Sequence, residues 1–187
     1  MVETSISRPR RPVLAAAAAL LAVGLLAAMM VSGQLRESKQ FVRFVPAGVM
    51  PEEPKDIDRV EMKAGARRWA FVRESGGWRS AEGEPVSTPL AAHLDDSIKF
   101  MHVSAPIRVM ERAEWSAVGL REFGLDPPGY SATLYRKDEV VLAAVFGTPN
   151  PQKVLQYMKL ERRDQVYLMA RFVGEEWEKA IGEAAER

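Results

Sequence analysis

The chain contains no cysteine. That absence excludes disulfides, a thiol nucleophile, thiolate metal sites and the modified cysteine of a bacterial lipoprotein. It leaves the compartment open, because many extracytoplasmic domains fold without disulfides. Histidine is almost as scarce, with only His93 and His102. Both fall in one predicted helix, two and a half turns apart, so they point in opposite directions and cannot share a metal from one face. His93 stands near Asp95 and Asp96, but adjacent helical residues do not face one another, and a solvated helix surface accounts for the group. Glycine-rich phosphate loops, the nucleophile elbow and the zinc-protease helix motif are missing, and no local pair of carboxylates suits glycoside chemistry. The expectation is a protein that is not an enzyme, with no catalytic, cofactor-binding or metal-binding residues.

Charge is missing from one long stretch. Val13 to Ser32 reads VLAAAAALLAVGLLAAMMVS, 20 residues without an ionisable side chain. At about 1.5 Å per residue it spans roughly 30 Å, the thickness of a bilayer hydrocarbon core. A buried helix of a soluble domain needs a polar face, and this segment has none. The apolar region of a cleaved signal peptide is shorter, about 7–15 residues, so a retained transmembrane helix is expected. Cleavage at Val31-Ser32-Gly33 is the alternative. Arg8, Arg10 and Arg11 precede the run and Arg36 and Lys39 follow it, a bias that places the N-terminus in the cytoplasm. Small residues recur four apart at Ala18/Ala22, Gly24/Ala28 and Ala28/Ser32. Such rows let a second helix approach closely, although any alanine-rich anchor produces the same spacing.

Beyond the anchor the charges balance: from Phe41 onward there are 21 basic and 23 acidic residues. Mixed signs near neutrality are not the footprint of a nucleic-acid binder. The doublets Arg67-Arg68 and Arg162-Arg163 fit an exposed strand edge or turn. Residues 33–56, with Pro46, Gly48, Pro51 and Pro54, read as a stalk. The organisation expected is a cytoplasmic segment at 1–12, a transmembrane helix at 13–32, a stalk at 33–56 and an α+β domain at 57–187.

Within that domain, Ile57–Lys63, Arg67–Glu74 and Trp78–Ser80 form an antiparallel meander turning at Gly65-Ala66 and Gly76-Gly77. Thr88 as N-cap and Pro89 behind it open a helix. Its residues Leu90, Leu94, Ile98 and Met101 make one apolar stripe for the sheet. Ile107 and Val109 suggest a short strand. Tyr130–Arg136, Val140–Phe146, Val154–Leu160 and Val166–Arg171 are strand-length runs rich in β-branched and aromatic residues. Phe172–Ala185 reads as a C-terminal helix docked by Trp177 and Ile181. The fold class is α+β: a mainly antiparallel sheet, one packed amphipathic helix and a C-terminal helix.

Several short motifs stand in this order: Gly76-Gly77-Trp78, the proline-led helix, Phe123-Gly124-Leu125-Asp126-Pro127-Pro128, Phe146-Gly147 and Val166-Tyr167-Leu168. The pattern over roughly residues 57–172 resembles the domain-of-unknown-function family 4340. That resemblance implies a membrane-anchored bacterial protein, associated with ABC-type transport or gliding-motility components, with no assigned activity and here a single copy of the domain. The residues also have a physical reading. Gly124 takes a positive φ, Leu125 plugs into the core, Asp126 accepts backbone N–H groups, and Pro127-Pro128 stiffens the entry to the next strand. Trp78 is read as a core anchor.

The functional expectation is a non-enzymatic, single-pass accessory or assembly subunit of a bacterial inner-membrane complex. Its partners are membrane lipid and other membrane-protein subunits, not nucleic acid, and its outer domain makes protein contacts. The alternative is a membrane-tethered extracytoplasmic binding module serving an ABC-type transport system.

Overall fold

The computed structural model describes residues 11–37 and 46–186, in two compact units that divide between Phe44 and Val45. The first unit is one helix, α1 (Arg11–Glu37), 27 residues long. Its side chains are described for 15–29, and there Leu20, Leu21, Val23, Leu25, Leu26 and Met29 are all more than half exposed. Gly24 does not interrupt the helix and has open space around it. Ala18, Ala22 and Ala28 are likewise exposed. The side chain of Ser32 lies outside the described set, as do Arg8, Arg10 and residues 38–45 of the expected stalk. Among the described residues no helix is long and apolar enough to cross a membrane. The described side chains of α1 cover about 22 Å of helix, short of a bilayer core, so on their own they do not support the expected spanning segment.

The second unit is an α+β domain built on one antiparallel eight-stranded sheet. The strands are β1 (Arg59–Ala64), β2 (Arg67–Glu74), β3 (Gly77–Ser80), β4 (Arg108–Met110), β5 (Tyr130–Arg136), β6 (Glu139–Pro149), β7 (Leu155–Leu160) and β8 (Val166–Ala170), in the order β3-β2-β1-β5-β6-β7-β8-β4. Tight turns make the neighbours. Gly65 closes the β1–β2 turn at φ 58°, and Lys137 and Asp138 both take positive φ between β5 and β6, the mirror-image turn that matches strand twist. The Asp58 carboxylate accepts from the Lys137 amide at 2.8 Å and fastens that turn.

Two connections cross the sheet, one on each face. Helix α2 (Thr88–Val103) leaves β3 at one edge and delivers the chain to β4 at the other. It packs with α4 (Arg171–Ala185) on the inner face. Its stripe Leu90, Leu94, Ile98 and Met101 is fully buried against Val60, Phe71, Leu134, Phe146 and Met158. Trp177 of α4 is fully buried in the same core, and Ile181 packs half-buried against it. The N-cap of α2 is Ser87, whose Oγ accepts from Leu90 N, so the helix opens at Thr88 and not after it. The return from β4 to β5 runs over the outer face through α3 (Arg112–Trp115) and a 3-10 turn at Leu120–Phe123. There Met110, Leu125 and Val166 form a second, smaller apolar cluster. The return covers the β6–β8 end of that face and leaves the β2–β1–β5 end open.

The domain starts earlier than its strand pattern suggests. Met50 and Ile57 are fully buried, and Gly48 N and Met50 N donate to His102 O and Met101 O at the end of α2. Residues 46–56, read from the sequence as stalk, belong to the folded unit.

Candidate functional site

The corner motif is assembled as its residue types require. Gly124 ends the 3-10 turn in the left-handed region at φ 66°, donating to Arg121 O at 2.9 Å. Leu125 is buried beside Met110 and Val166, and Phe123 lies against Tyr157 with ring centroids 4.8 Å apart. The distant Gly147 is the other half of this corner, since a Cβ there would overlap Phe123 O and lie 3.2 Å from the Gly124 carbonyl carbon. Asp126 differs from expectation. It is exposed and accepts no backbone N–H among the described residues, because the turn is already closed by backbone bonds such as Leu125 N to Leu120 O. The Asp126–Pro127 peptide is cis, and Pro127 and Pro128 lie exposed before β5. The exposed β2–β3 turn is Ser75-Gly76, one residue earlier than expected, and Gly77 opens β3 opposite Glu74. Trp78 after it is buried, donates from Nε1 to Asp95 at 3.0 Å and carries the Arg73 guanidinium 4.6 Å from its ring centroid. Of these motif residues, Phe123, Gly124, Leu125 and Trp78 make packing or hydrogen-bond contacts within the domain.

A polar network unmarked in the sequence reading holds the corner to α4. The Gln156 amide donates to Gly147 O at 2.9 Å, and its oxygen accepts from Arg171 at 2.8 Å. Tyr130 OH donates to Gly174 O at 2.9 Å. Burial pushes the Tyr130 phenol far above its ordinary value and keeps it neutral, with its proton available for the bond to Gly174 O. Desolvation disfavours the Arg171 cation, but hydrogen bonding to Glu178 together with the attraction of Glu178, Tyr130 and Glu175 outweighs it and raises its pKa. The available signal was positional: Gln156 sits on the inward-facing register of β7, with Met158 and Leu160.

His93 and His102 do point apart. His93 Nδ1 meets Glu176 Oε2 of α4 at 2.7 Å, and Lys179 donates to the other oxygen at 2.8 Å. Burial works against the Glu176 charge, yet Lys179 and His93 prevail and hold its pKa below the usual carboxylate range. His93 is therefore half-buried in an interhelical bridge, not on a solvated face, while Asp95 binds Arg73 and Trp78. His102 is buried with Nδ1 3.1 Å from Met50 O. Among the described residues no three potential metal ligands cluster.

What remains accessible is a cleft of about 880 Å³ at the uncovered β2–β1–β5 end. Its outer-face rows are set by strand register. Arg68, Lys63 and Ser131 lie in one row, and Ala70, Glu61 and Thr133 in the next. Ser80 at the end of β3 and the following Ala81, Glu82 and Glu84 add to the lining of the cleft, and half-buried Trp69 adds apolar surface. Glu61 is held 3.6 Å from Arg59, which stacks 3.8 Å over Tyr135. Burial first, then hydrogen bonding to Glu61, raises the Tyr135 phenol. Lys63, Arg68, Glu82 and Glu84 form no ion pair among the described residues. Among the described residues the hydroxyls of Ser131 and Thr133 have no base in hydrogen-bond contact. The cleft thus joins open strand backbone to charges that form no ion pair among the described residues. No protein-family model, curated protein or solved structure matches the chain.

Proposed function

We propose that the chain is a non-enzymatic, single-pass accessory or assembly subunit of a bacterial inner-membrane complex, with the domain from Val45 onward outside the cytoplasm making protein contacts. The observation that carries this reading is the uncharged run Val13–Ser32. A helix that is apolar on every side has no face for water, so it belongs in lipid or against other apolar helices. The likeness of the glycine-tryptophan turn and the proline corner to family 4340 supports the same reading. So does the engagement of both histidines in bonds that hold the fold.

The test is extraction followed by mass. Alkaline carbonate should leave the full chain in the membrane pellet, and mild detergent should release it in a species heavier than one copy. Release by carbonate or salt, or a lone monomer under every mild condition, counts against the proposal. The open cleft favours a second reading, a tethered binding module serving an ABC-type transport system. That reading requires a soluble ligand to protect cleft residues in the isolated full chain.

A further inference from the structure

We propose that the open part of the β2 edge, residues 67–69, is a docking site at which an extended segment of a partner protein carrying an acidic residue adds to the sheet as a further strand. This names the contact surface of the accessory subunit and rests on that reading.

The edge is half finished. Strand β3 pairs only with Phe71–Glu74, although β2 begins at Arg67. Past Ser80 the chain turns back along the far side of β3, with Ser80 N donating to Glu84 O and Val86 N to Trp78 O. The loop therefore covers β3 and leaves residues 67–69 of β2 bare. Ala70 O points away from β1, because it accepts from Ala81 N at 3.0 Å. By the two-residue alternation of an antiparallel ladder, the Arg68 N–H and C=O point the same way, and neither has a partner among the described residues. Unpaired strand edges of this kind recruit extended segments.

Charge selects the occupant. Arg68 and Lys63 are direct cross-strand neighbours on the outer face, a like-charge pair that destabilises a sheet, and neither is neutralised. A residue opposite Arg68 on an added strand shares that face, about 5 Å away. A carboxylate there pairs with the Arg68 guanidinium and so relieves its repulsion with Lys63. The neighbouring position turns to the inner side and meets half-buried Trp69, which calls for an apolar residue. The position opposite Ala70 is already taken by Ala81, whose amide bonds Ala70 O, so the added strand ends beside Trp69. An extended segment with an acid at one position and an apolar residue beside it satisfies both requirements.

The probes are two capped eight-residue peptides of alternating valine and serine, in which one central serine is replaced by glutamate in one peptide and by lysine in the other. Each is added to the isotopically labelled full chain in detergent micelles while amide exchange is followed. The glutamate peptide should slow exchange of the Arg68 amide at least tenfold where the lysine peptide leaves it unchanged. Arg68→Pro removes an amide with no internal partner, so it should melt like the parent yet lose all peptide response. Arg68→Glu should transfer the preference to the lysine peptide. An Arg68 amide already protected in the free chain, equal effects of the two peptides, no effect of either, or protection that survives Arg68→Pro at the remaining edge amides overturns the docking site. In a membrane complex isolated by mild detergent, a freely exchanging Arg68 amide sinks the docking site and leaves the accessory-subunit reading intact. Carbonate release of a chain whose Arg68 still responds to the glutamate peptide does the reverse.

Discussion

Two glycines in one helix should respond to alanine with opposite signs. Gly174 lies in the first turn of α4 and Gly182 in its last. In an open helix position, alanine gains about 0.5–1 kcal/mol over glycine by restricting the unfolded chain. Gly182 is such a position, exposed with nothing within 4 Å of an added Cβ, and Gly182→Ala should stabilise by about that amount. At Gly174 a Cβ overlaps Gln156 Oε1 and comes 2.7 Å from Tyr130 OH. The overlap costs roughly 1–3 kcal/mol, and moving Gln156 leaves a buried polar group unpaired for about 1–3 kcal/mol more. Set against the gain in helix propensity, Gly174→Ala should destabilise by about 2–4 kcal/mol. For a domain of this size that lowers Tm by roughly 10 °C. Urea titration of the full chain in micelles, followed by the fluorescence of buried Trp177, reads both variants. If Gly174→Ala is as stable as the parent, or the two alanines shift the midpoint in the same direction, the Gln156–Tyr130–Arg171 network does not hold α4 as described.

The corner and the interhelical bridge give further tests. Gly147→Ala drives a methyl into Phe123 O and to 3.1 Å from Leu125 Cγ. It should cost roughly 1–3 kcal/mol, measured by the same titration, and an unchanged midpoint would show that the corner can yield. Glu176 has a depressed folded pKa, so its contribution is complete above the ordinary carboxylate value and disappears as pH falls through the folded value. The difference in Tm between parent and Glu176→Gln should therefore be largest near neutrality and close as pH falls through the depressed folded value. A difference constant across that range refutes the bridge. Trp78→Phe removes the donor to Asp95 and should cost about 1 kcal/mol, read as a lower urea midpoint.

The strands of the second half were legible because their pattern is strong. Tyr130–Arg136 falls on β5 residue for residue, and β7 and β8 differ by one residue at one end. The helix stripe was equally plain, since Leu90, Leu94, Ile98 and Met101 have no other use than burial. The cap slipped by one residue because Ser87 and Thr88 are both capping types, and only the geometry chooses the serine. The Gln156 network escaped notice because its partners lie 9 to 26 positions away. A polar residue in a strand announces nothing until its register is known. The cleft was illegible for the same reason: that β3 stops four residues short of the start of β2 is a fact of pairing. The doublet Arg67-Arg68 did announce an exposed edge or turn, and it lies at that bare edge.

The segment before β1 shows how proline and glycine can mislead. Pro46, Gly48, Pro51 and Pro54 forbid a helix or a long strand, yet they do not forbid packing. Gly48 passes so close to α2 that a Cβ would overlap Met101 O and the backbone of His102. That approach sets Met50 into the core at 1% exposure, and His102 Nδ1 donates to its carbonyl. If residues 46–56 were a stalk, Met50→Ala would be neutral, as surface changes are within about 0.5 kcal/mol. If they are part of the core, the lost side chain and the cavity left behind cost about 2–5 kcal/mol. Lys55→Ala, an exposed change in the same segment, supplies the neutral reference. Equal midpoints for the two variants would return the segment to a tether. A large gap between them makes it a structural part of the domain, leaving 38–45 as the only residues between the end of α1 and the folded unit.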